Sequence, residues 1–298
     1  MSASAPGAVF RLPPEQLDRA LAAYRSAVMA KRLRLLLGAV ILLVAIWVAG
    51  IVGEVDLPKF FANIDRLPTY IWNIVPSLTW ANLRGDIAEW FWNFKDWSRL
   101  LIDTLLIAYL GTLLGAIGAF ALCFFATANL EKRAWVRILC RRFLEFCRTV
   151  PEIVFALLFV VAFGLGPMPG VLALTIHTVG ALGKLYAEVV ENIDMKPVEG
   201  ATATGATWVS SIRFGVLPQV MSNFASYTLL RFEINVRGAA VMGFVGAGGI
   251  GQDLMEAIRK FYYSDVSAIL VLIIATVMII DLVTERLRHA LIGLEARR

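Results

Sequence analysis

Residues 35–52 read LLLGAVILLVAIWVAGIV and contain no charged side chain. A helix of about 20 apolar residues crosses the hydrocarbon core of a bilayer. A signal peptide would have a shorter apolar region followed by a small-residue cleavage site, and this stretch lacks such a site. The stretch therefore predicts a retained membrane-spanning helix, and it points to an all-α membrane protein.

The composition of the whole chain supports this class. Of its 298 residues, 59% are apolar and 17% are charged, and the mean hydropathy is +0.72. A soluble domain has about 45–50% apolar and about 25% charged residues. The pI near 9.2 comes from Lys and Arg residues that lie between apolar stretches, which fits the positive-inside rule better than nucleic-acid binding.

Five further apolar stretches predict about six membrane spans in total. They are residues 100–128, 143–165, 171–190, 221–245 and 266–283. In the first of them, Gly111 and Gly115 form a GxxxG, which either allows close helix approach or is tolerated without a special interface.

The segments outside the spans suggest how the chain is organised. Residues 1–34 predict an amphipathic helix at the cytoplasmic membrane surface. Residues 53–99 hold most of the tryptophans, which favour the membrane–water boundary, and they predict short extracytoplasmic interfacial helices. Residues 100–285 form the membrane core, with a polar loop at 191–220, and residues 286–298 form a basic cytoplasmic tail.

The distribution of positive charge orients this map. With a cytoplasmic N-terminus, the inside segments 1–34, 129–142, 191–220 and 286–298 carry six, five, two and four Lys or Arg residues. The short outside turn GPMPG at 166–170 carries none. Positive residues concentrate in cytoplasmic loops, so we expect both termini inside.

Charged residues inside the spans are the first candidates for function. Arg231, Glu233 and Arg237 fall in the fifth stretch, where they should face the bundle interior or a wet cavity. Glu233 and Arg237 can pair as i,i+4 neighbours, and Arg148 and Glu152 have the same spacing around Pro151. The arginines either offer positive charge to an anion in transit or fix helix packing through ion pairs.

Residues 246–251 read GAGGIG, the letters of a dinucleotide-binding fingerprint. That fingerprint needs a soluble βαβ unit of about 30 residues, which the chain does not offer. Gly246, Gly248 and Gly249 are better explained by a turn at the outer membrane boundary, either a hinge near a gate or a plain turn. The three cysteines and two histidines form no metal-binding pattern, and neither an ATP-binding P-loop nor a Ser/His/Asp arrangement is present.

The loop at 199–219 reads EGATATGATWVSSIRFGVLPQ. This resembles the EAA motif of ABC-importer permeases, E-A-A followed by Gly and then Leu-Pro at fixed spacing. The matching positions are Glu199, Ala201, Gly205, Leu217 and Pro218. Gly200 and Gly215 stand where the pattern has Ala and Ile. Small residues allow close docking to a partner, and Pro218 can fix the exit from the loop.

Most of residues 100–285 looks like the phosphonate importer permease family. The resemblance implies a type I ABC-importer permease fold, with a core of five helices plus an extra N-terminal helix. It also implies a homodimer, two ATPase subunits that bind ATP and Mg, and an extracytoplasmic phosphonate-binding protein, in the bacterial inner membrane. The chain itself would be no enzyme, would bind no metal or cofactor and no nucleic acid, and would carry phosphonate, phosphate or phosphite.

Alternatives remain at this point. A secondary transporter would explain the spans and the charges but not the complete EAA spacing. A permease for another solute, such as methionine, would share the fold and the loop. The sequence does not decide the exact substrate, which charges line the pathway, whether GAGGIG moves, or what the Trp-rich segment does.

Overall fold

The computed structural model describes residues 13–295, which form helices and short turns without any β-strand in that range. The all-α class is therefore confirmed. The chain divides into two units, Met1–Thr69 and Tyr70–Arg298.

The first unit is dominated by helix α1, Pro14–Val52. At 39 residues it is about 58 Å long, since an α-helix rises 1.5 Å per residue. Of the predicted segment 1–34, residues 1–12 lie outside the described residues, and the rest continues into the apolar stretch 35–52 as one helix. Helix α2, Leu57–Ala62, follows and is capped by Asp56, whose carboxylate accepts from the Lys59 N–H at 2.9 Å.

Two more short helices precede the long helices: α3, Arg66–Ile74, and α4, Leu83–Trp90. Short helices were predicted here, but the tryptophans divide into two groups. Trp80 is 95% exposed, whereas Trp97 is buried and packs with Ile250 and Ile269. Trp90 donates its indole N–H to Ser267 at 2.9 Å. Part of the segment is thus core rather than boundary.

Helices α5, Phe94–Ala126, and α8, Pro167–Glu191, form the closest pair of long helices. A Cβ at Gly111 would lie 2.6 Å from Leu174 Cβ, and one at Gly115 would lie 2.5 Å from Thr178 Cβ. The GxxxG is therefore a packing face, because only glycine lets the two backbones approach this closely.

The predicted third span, 143–165, is not one helix. The structure has α6, Ala134–Thr149, and α7, Glu152–Phe163, with an 84° bend between them. Pro151 causes the break, since it lacks an N–H and keeps the preceding residue out of the helical region. Part of the predicted basic loop is also helical, because Arg137 and Arg141 lie on α6.

The polar loop contains α9, Lys196–Ala203, then α10, Trp208–Ser211, and a π-helical turn, Ile212–Val216. Helix α11, Leu217–Met242, leads to a short 3₁₀ turn, Gly243–Val245. Helices α12, Ile250–Arg259, and α13, Tyr263–Glu295, complete the chain. The predicted basic tail is thus a continuation of α13 as far as Glu295.

Within the described range, four helices are long and apolar enough to span a membrane, and the bent pair α6–α7 makes a fifth if it counts as one span. They are α1, α5, α8 and α13. The predicted fifth stretch corresponds to α11, which is long enough to span a membrane but is less apolar than α1, α5, α8 and α13. Helix α11 nevertheless lies among the spans, packed on α5, α8 and α13.

Candidate coupling loop and transport pathway

The EAA-like residues form an exposed helix and turn. Glu199 and Gly200 lie on α9 and are exposed, whereas Val198 on the same helix is buried against Ile212 and Val216. A Cβ at Gly200 would meet no atom within 4 Å. The loop therefore exposes a surface of small residues, and the buried side chain of Val198 packs this surface against the rest of the loop.

Gln219 ties both ends of this loop together. Its side-chain oxygen accepts from the Asp194 N–H at 3.1 Å. Its amide donates to the carbonyls of Asp194 and Gly215, at 3.1 and 2.6 Å. Leu217 and Pro218 occupy the first turn of α11, where the missing N–H of proline is not needed. The hydrogen bonds of Gln219 therefore connect the loop to the first turn of α11.

Gly215, a departure from the EAA pattern, has a structural reason. A Cβ there would lie 3.0 Å from Val198 Cα. The π-helical turn thus passes directly against α9, and a larger residue would push the two apart. Gly205 follows α9 with a φ of +82°, and Ala201 on α9 lies at the edge of the exposed surface.

The charged residues of α11 differ in their environments. Glu233 and Arg237 form the predicted ion pair, with the Glu233 side chain buried and 55% of the Arg237 side chain exposed. Asp281 on α13 also interacts electrostatically with Glu233. No local pattern predicted this last interaction, because it joins two helices far apart in the chain.

The other predicted pair is not formed. Arg148 is exposed at the end of α6 and makes no ion pair with Glu152 in the described range, because the break at Pro151 removes the i,i+4 geometry. Glu152 Oε2 instead lies 3.7 Å from His177 Nε2. His177 Nδ1 lies 3.1 Å from the carbonyl oxygen of Val150, so it is the nitrogen that donates.

Arg231 lies near the middle of α11 and is half-buried. Its Nε is shielded from solvent and has no hydrogen-bond partner among the described residues. Electrostatic interactions connect it to Glu152 and His177. The structure therefore brings together three charged or titratable groups, from α7, α8 and α11, of which sequence reasoning considered only two for the pathway.

A buried polar contact that the sequence did not predict holds the three central helices. The Asn235 amide donates to Thr112 Oγ1 at 2.8 Å and to Thr178 Oγ1 at 2.9 Å. These residues come from α11, α5 and α8, and all three are buried. The contact fixes the register of the helices that carry Arg231 and His177.

The GAGGIG residues form a tight, buried turn. Gly246, Gly248 and Gly249 have φ values of +83°, +87° and +80°, which favour glycine. The Gly166 N–H donates to the Gly246 carbonyl at 3.0 Å, so the turn packs on the GPMPG turn. The Ile250 N–H donates to Thr104 Oγ1 at 2.9 Å at the start of α12. A helix precedes the turn where a dinucleotide-binding site needs a strand.

The carboxyl group of Asp86, on the short helix α4, is held by hydrogen bonds from Thr79. Thr79 donates its hydroxyl and its backbone N–H to Asp86, at 2.6 and 2.7 Å, and these bonds hold the pKa of Asp86 below its usual range. No group of His, Cys, Asp and Glu suited to a metal ion occurs in residues 13–295.

These features define a class of protein: an all-α membrane protein with an exposed helix on one polar loop and charged groups among its spans. The chain matches the family described as "Binding-protein-dependent transport system inner membrane component" over residues 111–292. It therefore belongs to that family and is a permease subunit of an ABC importer. Membership implies an ATPase and a binding protein as partners in general.

Named relatives are transport permeases. The chain is 39% identical over 242 residues to the phosphite transport system permease protein PtxC of Stutzerimonas stutzeri, covering 81% of this chain and 87% of the relative. It is 56% identical over 117 residues to the putative cryptic phosphonate transport system permease protein PhnE2 of Escherichia coli strain K12, covering 39% and 96%.

The fold also occurs in a solved structure. A chain of the MetNI methionine ABC transporter, in an inward-facing crystal form, matches with a TM-score of 0.55 at 18% identity. The match covers 65% of this chain and 95% of that one. At this identity the likeness shows the permease fold alone and says nothing about the solute.

Proposed function

We propose that this permease carries a phosphorus oxyanion, a phosphonate or phosphite, into the cytoplasm in an ATP-driven importer. The observation that carries the substrate class is the 39% identity to a phosphite permease along most of both chains. Arg231, near the middle of α11, forms no ion pair with any residue that the structure describes, and this supports an anionic cargo. Phosphate remains a related candidate of the same charge.

Two copies of the chain form the proposed membrane unit. The Arg237 side chain is 55% exposed in the single chain although it lies on a helix packed among the spans. A charged side chain at this depth faces a protein interior or a wet cavity rather than lipid. A second copy covering this face would enclose the charged groups of α11. In this proposal both termini are cytoplasmic, as the distribution of Lys and Arg favours.

Energy would enter through α9. In our proposal, one ATPase subunit binds to each copy of the permease at the exposed surface around Glu199 and Gly200. The ATPase subunit also binds ATP and Mg. The hydrogen bonds of Gln219 connect this loop to α11, which carries Arg231. Movement of α9 would therefore reach the charged groups of the pathway, while an extracytoplasmic phosphonate-binding protein delivers the substrate.

The experiment is uptake by the assembled complex in proteoliposomes. The complex contains this permease, the ATPase and the binding protein, and the labelled substrates are methylphosphonate, phosphite and methionine. We expect ATP-dependent uptake of the two phosphorus compounds and none of methionine. Uptake of methionine alone would replace the substrate class, and uptake without ATPase subunits would indicate a secondary transporter.

A further inference from the structure

Arg231 is a half-buried cation that forms no direct ion pair with any residue in the range 13–295. A guanidinium stays charged and offers five N–H donors. Among residues 13–295, the buried Nε of Arg231 also has no hydrogen-bond partner. Burying an uncompensated charge costs free energy, so such a group should meet an anion or water in the working protein.

The helix break positions two side chains that interact electrostatically with Arg231. Asn235, one turn along α11 from Arg231, donates to Thr178, the residue next to His177 on α8, at 2.9 Å. His177 donates from Nδ1 to the carbonyl of Val150, immediately before the break. Its other nitrogen therefore faces Glu152, at 3.7 Å. The second oxygen of Glu152 lies 3.6 Å from the position of a Cβ on Gly238 of α11. Glu152 thus reaches from α7 to both α8 and α11.

The side chains of Glu152 and His177 lie on a surface of the single chain that is too polar to contact lipid. The Glu152 side chain is 36% exposed and that of His177 is 14% exposed in the single chain. Since exposed charge within a span faces a wet cavity or protein, the cluster lies toward the pathway that the proposed second copy would complete.

We propose that Arg231, His177 and Glu152 form a transient binding subsite for the phosphorus oxyanion within the membrane. This rests on the proposed function and names the residues that meet the cargo. The guanidinium can hold two oxygens of a phosphonate or phosphite group. Glu152 accepts a hydrogen bond from a protonated oxygen of the same group, and its charge offsets that of Arg231. The hold is therefore weak enough for release, as a transport pathway requires.

The test measures substrate taken up per ATP hydrolysed, in proteoliposomes with the complete complex. For Arg231→Gln we expect binding-protein-stimulated ATP hydrolysis to continue while methylphosphonate uptake per ATP falls about tenfold, the effect of one lost charge-assisted hydrogen bond. The matched control is Lys184→Gln, which removes the same charge from a pair with Glu188 on α8. An unchanged ratio in Arg231→Gln, or an equal fall in the control, overturns the subsite.

A second measurement needs no variant, in case Arg231→Gln does not assemble. The wild-type complex is treated with phenylglyoxal, a guanidinium reagent, and modification of each arginine is followed by mass spectrometry. We expect methylphosphonate to slow modification of Arg231, and its uncharged dimethyl ester to have no effect. Equal modification with and without methylphosphonate rejects the subsite. Wild-type proteoliposomes that take up no phosphorus oxyanion would instead reject the proposed function.

Discussion

Two glycine-containing stretches of this chain do opposite things. At residues 196–205, a Cβ on Gly200 or Gly205 would meet no atom within 4 Å, and the surface is exposed. At residues 243–251, a Cβ on Gly251 would lie 2.0 Å from the Ala240 carbonyl oxygen. The space next to the glycines of the first stretch is empty, so a partner can occupy it. In the second stretch, other atoms of this chain already fill that space. Glycine content alone does not distinguish a docking surface from a packed turn.

The largest expected effect comes from filling the packed turn. Gly251→Ala places a methyl group against the backbone of Ala240, which cannot move like the end of a flexible side chain. We expect a loss of about 3 kcal/mol in stability, the upper range for overpacking. Thermal unfolding of the purified complex measures it. A wild-type midpoint would show that the turn is looser than its contacts indicate.

Filling the open surface should leave the fold intact and stop transport. The Cβ of a Gly200→Trp variant would meet no atom of this chain within 4 Å, and its side chain would start from the exposed surface where we propose that the ATPase docks. We expect normal amounts of folded permease and a fall in ATP-driven uptake of at least about tenfold, equal to about 1.4 kcal/mol. The matched control, Gly200→Ala, should retain uptake and gain up to about 1 kcal/mol of helix stability. Full transport by the Trp variant would place docking elsewhere.

Gly215 combines features of both stretches, because it belongs to the EAA-like loop but is packed closely against α9. Restoring the EAA pattern with Gly215→Ile would force its side chain against Val198, whose Cα lies 3.0 Å from the Cβ position. We expect destabilisation of about 2 kcal/mol, with a smaller loss for Gly215→Ala. Thermal midpoints of both variants give the comparison. If Ile were neutral, the close contact of the π-helical turn with α9 would be incorrect.

The smallest expected effect separates backbone strain from crowding. Gly205 has a φ of +82° but open space around it, so Gly205→Ala should cost about 1 kcal/mol through backbone strain alone. Asn tolerates this conformation better, so Gly205→Asn should lose less stability than the Ala variant. Equal midpoints for Gly, Asn and Ala at this position would show that the turn rearranges freely.

The helices and the loop could be predicted from sequence because their signals are local. Apolar length located α1, α5, α8 and α13, and fixed spacing located the EAA-like residues. The 84° bend was missed although Pro151 was visible, because hydropathy continues across it. No local sequence pattern indicated that Glu152 lies next to His177 and does not pair with Arg148.

Long-range polar contacts were beyond the sequence. Asn235 meets Thr112 and Thr178 through side chains that ordinary composition does not mark. The same holds for Gln219, which reads as one polar residue among many until it is seen joining Asp194 to Gly215. Such contacts depend on helix register, which one sequence does not define.

The most direct test of the account is ATP-driven uptake of labelled methylphosphonate by proteoliposomes that contain matched amounts of wild-type or Gly200→Trp permease in the full complex. If the ATPase drives import through α9, we expect uptake by the wild type only when ATP and the ATPase are present. We also expect that uptake to be lost in a fully folded Gly200→Trp complex. Uptake that continues without ATPase subunits, or that is equal in both complexes, would contradict it.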